Sequence, residues 1–191
     1  MNNQTKILRC IVEREGVPQT ILSIAKQLHI NYRTVFEDVK RLEEEGVLRL
    51  LKVGSANLCS YTYIFNEKTV KLERWRRDLL LKNKNVRVLY DRLNEIKNPL
   101  FVAVIFGSHA KGSVGKQSDI DLCIITDSAE IQKNVENIVR TIALPVHLLC
   151  FSVKEFVSML KTTDDTVGKE ITKRNIILKG IEPLYEVIRY A

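Results

Sequence analysis

The chain is poor in cysteine, and nothing pairs the few it has. Cys10, Cys59, Cys123 and Cys150 are scattered through 191 residues, and none stands in a C-x-x-C pair. A zinc site is therefore not expected, and buried free thiols in a reducing cytoplasm are the simplest account. Long apolar runs are missing too. The longest clean ones, such as residues 100–106, are far too short to span a bilayer. The opening segment lacks the apolar stretch of a secretory signal, so a cytoplasmic location without a membrane partner is expected. No internal repeat and no low-complexity tract is present, which leaves an ordinary globular chain.

What is there is enough for a real core and for two small domains. The net charge of +7 is uneven. Residues 1–66 hold nine Lys/Arg and seven Asp/Glu, residues 67–98 hold ten and five, and residues 99–191 hold eleven of each. The excess thus sits in the middle, where a basic segment either attracts a polyanion or is simply a solvated helix face.

The first third reads as three helices and a hairpin. Residues 5–15 place Ile7, Leu8 and Ile11 on one side, and residues 19–28 place Ile21, Leu22, Ile24, Ala25 and Leu28 together. Asn31 is a good cap for a third helix over 32–45, which buries Val35, Val39 and Leu42 and stops at Gly46. Strands are expected over 47–53 and 58–65, around the turn cluster 54–57. This order, with Ile24-Ala-Lys-Gln-Leu-His-Ile-Asn-Tyr-Arg-Thr-Val35 and Arg41-Leu-Glu-Glu-Glu-Gly-Val-Leu48, closely resembles the winged helix-turn-helix domains of transcription regulators.

Residues 70–97 form a polar helical stretch with apolar stripes at Leu72, Trp75, Leu79 and at Val86, Leu89, Leu93, Ile96, broken near 83–85. Beyond Pro99 the pattern alternates between strand and helix. Residues 100–106, 120–126 and 145–151 read as apolar strands. A helix over 128–143 is capped by Ser128, and Ser152 with Glu155 forms a capping box for another. Residues 164–191 read as helical, interrupted near Gly180 and Pro183.

The chemistry concentrates in Val104-Ile-Phe-Gly-Ser-His-Ala-Lys-Gly-Ser-Val-Gly-Lys-Gln-Ser-Asp-Ile-Asp-Leu122. An apolar strand ends in Gly107-Ser108, and Asp119 and Asp121 stand one residue apart at the next strand. Alternate strand residues share a face, so the two carboxylates are expected side by side, their Cα atoms about 6.6 Å apart. Paired carboxylates suit hard cations such as Mg²⁺, which keep water and substrate phosphates as their other ligands. Gly107 lets backbone approach a phosphate, Ser108 supplies donors, and Lys111 and Lys116 neutralise charge. Gly107 and Gly112 do not make a P-loop, because Ser113 follows where Lys-Ser/Thr is required.

Gly107-Ser108-His-Ala-Lys111-Gly112 followed by Ser118-Asp119-Ile-Asp121-Leu122 resembles the DNA polymerase β-like nucleotidyltransferase superfamily, particularly its minimal, antitoxin-type members. Gly168-Lys-Glu-Ile171 and residues 175–182 are similar to the same group. The resemblance implies an α/β (α+β) architecture: a winged helix-turn-helix over 1–67, a basic helical linker over 68–98, and over 99–191 a small mixed sheet flanked by helices. It implies that Gly107, Ser108, Lys111, Gly112 and Ser118 hold the phosphates of an NTP, with ATP the expected one. Asp119 and Asp121 would bind Mg²⁺, up to two ions, and an NMP unit would pass to a protein or nucleic-acid hydroxyl. Members of the superfamily place a third carboxylate on the next strand; the matching position here is His147. An imidazole there serves as a proton acceptor, a metal ligand, or a structural side chain.

In a winged helix the N-terminal part of the third helix meets base edges, which nominates Arg33, Thr34 and Arg41, with Lys52 on the wing for phosphates. Residues 31–46 nevertheless carry three basic and five acidic side chains, a poor balance for duplex DNA. Contact with duplex DNA and contact with protein are the two readings of this helix, and a homodimer is expected. Three functions fit: a Mg²⁺-dependent nucleotidyltransferase, a DNA-binding regulator that senses a nucleotide with weak or no catalysis, and an antitoxin partner of a HEPN-type toxin.

Overall fold

The computed structural model describes residues 2–14, 16–113, 115 and 118–191. It divides the chain into two units, Met1–Leu72 and Glu73–Ala191. The architecture is mixed α/β, with small sheets and helices.

In the first unit, α1 (Asn3–Val12) starts where Asn2 Oδ1 accepts the Thr5 N–H at 2.9 Å. A two-residue strand, β1 (Gln19–Thr20), precedes α2 (Ile21–Leu28), which Thr20 and Ser23 open with a reciprocal capping box. The helix expected from residue 19 therefore begins two residues later, because Gln19 and Thr20 pair with Cys59 and Leu58. Asn31 caps α3 (Tyr32–Glu44) by accepting the Arg33 N–H at 2.8 Å. β2 (Leu48–Val53) and β3 (Ala56–Tyr61) form an antiparallel hairpin, giving the sheet order β1-β3-β2. β3 ends before the expected residue 65, with Tyr63 in the left-handed region at φ 55. The core unites Ile7, Leu8 and Ile11 of α1, Ile21 and Ile24 of α2, and Val35, Val39 and Leu42 of α3.

The stretch 68–98 is occupied by α4 (Glu67–Leu80) and α5 (Lys84–Asn94), with Asn83 capping α5. It was expected as a linker, yet Val86, Leu89 and Leu93 lie in the core of the second unit. There the sheet runs β6-β5-β4-β7. β4 (Val102–Phe106) pairs antiparallel with β5 (Ile120–Ile125) and with β7 (Ile176–Lys179), while β5 and β6 (Val146–Phe151) are parallel. The β5–β6 crossover is α7 (Ala129–Thr141), capped by Ser128. On one face Ala103, Ile105, Leu122 and Ile124 pack with α5 and with Ile131, Val135 and Ile138 of α7. α8 (Val153–Lys161) and α10 (Ile181–Tyr190) lie against β6 and β4, and α9 (Val167–Lys173) packs on α8. The expected capping box of Ser152 and Glu155 opens α8; the Ser152 N–H and hydroxyl hold the Glu155 carboxyl below the usual carboxylate range.

Two features depart from the helical expectation for 164–191. Residues 176–179 form a strand, and Pro183 lies inside α10. Its position in the first turn removes no helical hydrogen bond, so it does not interrupt the helix.

α4 is less solvated than its charge suggests. Glu73 and Arg76 are both buried, joined at 2.8 Å. The Tyr185 hydroxyl donates to Glu73 at 2.9 Å, and Arg76 also donates to the Asn175 carbonyl. Arg77 lies 5.4 Å from the Tyr90 ring centre and donates to the Leu178 carbonyl. Part of the basic excess of 67–98 is thus committed to the protein's own structure. Among the described residues, no helix is long and apolar enough to cross a membrane. Burial pushes the Cys59 and Cys123 thiols up to about 12.

Candidate functional site

β4 is buried along its whole length and delivers the chain to Gly107, where φ turns to +63. The reason this position must be glycine is the carboxylate of Asp121. A Cβ on Gly107 would stand 2.0 Å from Asp121 Oδ2 and 2.9 Å from its Cγ. The glycine therefore makes room for an acidic side chain from the neighbouring strand. Asp121 is the register partner of Phe106 on β4 and of His147 on β6. Its other oxygen, Oδ1, lies 3.2 Å from His147 Nδ1. The end of β4, β5 and β6 thus bring Gly107, Asp121 and His147 into a single cluster. The His147 side chain keeps 59% of its surface exposed and that of Asp121 26%, so the cluster opens to solvent.

The residues after Gly107 fold into one helical turn. Gly107–Lys111 is a short helix, α6, closed by Gly112 at φ +69, whose N–H returns to the Ser108 carbonyl. Nothing lies within 4 Å of a Cβ placed on Gly112, so this glycine serves the turn and not a close approach. Ser108, half-buried, is the second residue of α6. His109 is buried in the same turn, and neither ring nitrogen has a hydrogen-bond partner among the described residues.

Asp119 departs from the expected geometry. β5 begins at Ile120, so Asp119 precedes the strand and stands exposed, whereas Asp121 is within it. Ser118 Oγ accepts the Gly115 N–H at 2.8 Å, which ties the loop before Asp119. Lys111 reaches away to Glu170 of α9, at 3.3 Å. The pairing with Glu170 was not foreseen, since it joins residues 59 positions apart with no local signature. Lys116 lies outside the described residues. Among those described, no three His, Cys, Asp or Glu side chains already converge as a metal cage. The donors on hand are a half-buried carboxylate seated against Gly107, an exposed one two positions earlier in the chain, and an imidazole nitrogen at the first; the carboxylates suit a hard cation and the nitrogen a transition ion.

In the first unit, Arg33 and Arg41 are exposed on α3, Thr34 is half-buried, and Lys52 is exposed on β2. The guanidinium of Arg33 is engaged by Glu37, at 3.0 Å on the same helix.

The chain matches the family model described as Polymerase beta, Nucleotidyltransferase over residues 82–182. That match covers more than half of the chain, and the protein belongs to this family. A comparison with curated proteins finds no match. The matched segment contains Gly107, Ser108, Asp119, Asp121 and His147, and the domain is of the nucleotidyltransferase type.

Proposed function

We propose that the second unit binds an NTP with Mg²⁺, ATP being the expected nucleotide, and transfers an NMP unit to a hydroxyl of a protein or nucleic acid. The observation that carries this reading is the Gly107–Asp121 contact, where a glycine is kept so that a carboxylate can stand at the end of a buried strand. Asp119 and Asp121 are the residues that would hold the cation. When bound, Mg²⁺ neutralises triphosphate charge and helps align the attacking and leaving oxygens. Gly107 holds the space for Asp121, and Ser108 presents its hydroxyl and N–H for phosphate. His147 holds Asp121 Oδ1 in place from β6. Purified protein with labelled NTPs and Mg²⁺ should label a protein or RNA acceptor, and Asp119→Asn should abolish labelling. Labelling at the wild-type rate in Asp119→Asn refutes the assignment.

A second reading is favoured by His147 itself. With an imidazole beside Asp121 in place of a further carboxylate, the unit binds nucleotide better than it turns it over, and acts as a sensor. Calorimetry separates the two: tight nucleotide binding with no transfer to any acceptor supports the sensor. The first unit is read as a winged helix. The Arg33–Glu37 pair and the acidic balance of α3 favour a protein contact over duplex DNA.

A further inference from the structure

Resting on the reading of this site as a metal–nucleotide centre, we infer that Asp121 and His147 together ligate one divalent cation, and that the imidazole shifts the site's preference from Mg²⁺ toward a first-row transition ion such as Mn²⁺. The spacing is the first support. Asp121 Oδ1 and His147 Nδ1 are 3.2 Å apart. Oxygen and nitrogen ligands lie about 2.0–2.1 Å from ions of this size. Two such ligands at right angles around an octahedral ion stand about 3.0 Å from each other. The pair is therefore already at the separation of two donors sharing one ion, with an adjustment of only about 0.2 Å needed.

The second support is rigidity. Asp121 and His147 are direct partners in the parallel β5–β6 register, flanked by Ile120 with Val146 and Leu122 with Leu148. Ile120 and Leu122 are buried, which fixes the strand on both sides of Asp121. Gly107 lies under Oδ2, so Oδ1 is the oxygen turned to the imidazole. The third support is room. More than half of the His147 side chain is exposed, which leaves space for water or phosphate oxygens to complete a coordination shell.

The preference follows from the donor. Mg²⁺ takes oxygen ligands almost exclusively, while imidazole suits transition ions. A neutral nitrogen at this position also supplies no negative charge, which costs a Mg²⁺ site more than one that gains a nitrogen bond. With the ion bound, Nδ1 would give its lone pair to it and the ring proton would sit on Nε2.

The test uses the full chain without nucleotide and Mn²⁺ as the probe. Bound Mn²⁺ is measured by electron paramagnetic resonance, Mg²⁺ by competition, in wild type and His147→Asp. Spin-echo modulation detects a directly bound nitrogen. Wild type should select Mn²⁺ over Mg²⁺ at least tenfold more strongly than His147→Asp, with a nitrogen modulation that the variant lacks. His147→Asn, which removes Nδ1 without adding charge, should lose the modulation as well. Equal selectivity in wild type and variant, without nitrogen modulation, overturns the inference and leaves the carboxylate site standing. Absence of any Mn²⁺ binding by wild type overturns the inference; its absence with ATP added as well overturns the metal–nucleotide reading.

Discussion

Replacing Gly107 with alanine should separate two costs that usually arrive together. The backbone there is at φ +63, and an alanine in the left-handed region costs about 1–2 kcal/mol. The added Cβ meets Asp121 Oδ2 at 2.0 Å, where an ordinary contact needs about 3.5 Å. The carboxylate must retreat by about 1.5 Å, and it can do so by turning about its own side-chain bonds. The steric conflict is thus relieved inside the site and not by unfolding the sheet. Turning Asp121 breaks its 3.2 Å approach to His147 and moves an oxygen proposed to hold the cation. Urea unfolding followed by circular dichroism should show a loss near 1–2 kcal/mol, while calorimetric affinity for Mg-nucleotide falls by tenfold or more, a further ~1.4 kcal/mol. Gly112→Ala is the internal control. It has nearly the same backbone angle, φ +69, and no neighbour within 4 Å. It should lose similar stability and keep its affinity. Equal affinity losses in the two variants, or wild-type binding by Gly107→Ala, would refute the claim that Gly107 exists to seat Asp121.

Three other outcomes are expected. His109→Leu should stabilise the protein by about 1 kcal/mol or more in urea, because it removes two buried ring nitrogens that have no partner among the described residues; a destabilised variant would mean that the imidazole is satisfied. Glu73→Leu should cost about 3–5 kcal/mol by taking the carboxylate partner from the buried Arg76 guanidinium, whereas Glu73→Met with Arg76→Met should cost far less; equal costs in single and double variants would show that the charge pairing is not what matters. Cys59 and Cys123, with thiols pushed up to about 12, should resist iodoacetamide at pH 8 in the folded chain and label in urea, as read by mass spectrometry. Because the folded values stand above the ordinary 9.0, the folded state holds these protons more tightly. Their contribution to stability is complete below pH 9 and is lost as the pH rises toward about 12.

The helix starts were legible because their causes are local. Asn31, Ser128 and Ser152 each bond to an N–H two or three residues away, and such spacings can be read directly. β7 was not legible for the opposite reason. Its four residues carry no period of their own and become a strand by pairing with Ala103, Val104 and Ile105. α6 was hidden by its length, since five residues cannot display a helical repeat. At the site, Gly107 and Asp121 could be marked by residue type, but not that one exists to admit the other. His147 was marked only through the family resemblance, and its place opposite Asp121 came with the parallel β5–β6 register. The Lys111–Glu170 and Glu73–Tyr185 contacts span 59 and 112 residues and left no trace in the sequence.

The buried Glu73–Arg76–Tyr185 group bears on where this protein can be cut. The family match begins at residue 82 and ends at 182. Glu73 and Arg76 lie before that start, and Tyr185 lies after that end. A fragment trimmed to the match would strip the Asn175 carbonyl of its guanidinium donor and remove most of α10 from β4. The portion recognised by its sequence is therefore smaller than the portion that keeps the Glu73–Arg76–Tyr185 group intact. Any dissection of the two units should begin the second no later than Glu73 and keep its last helix.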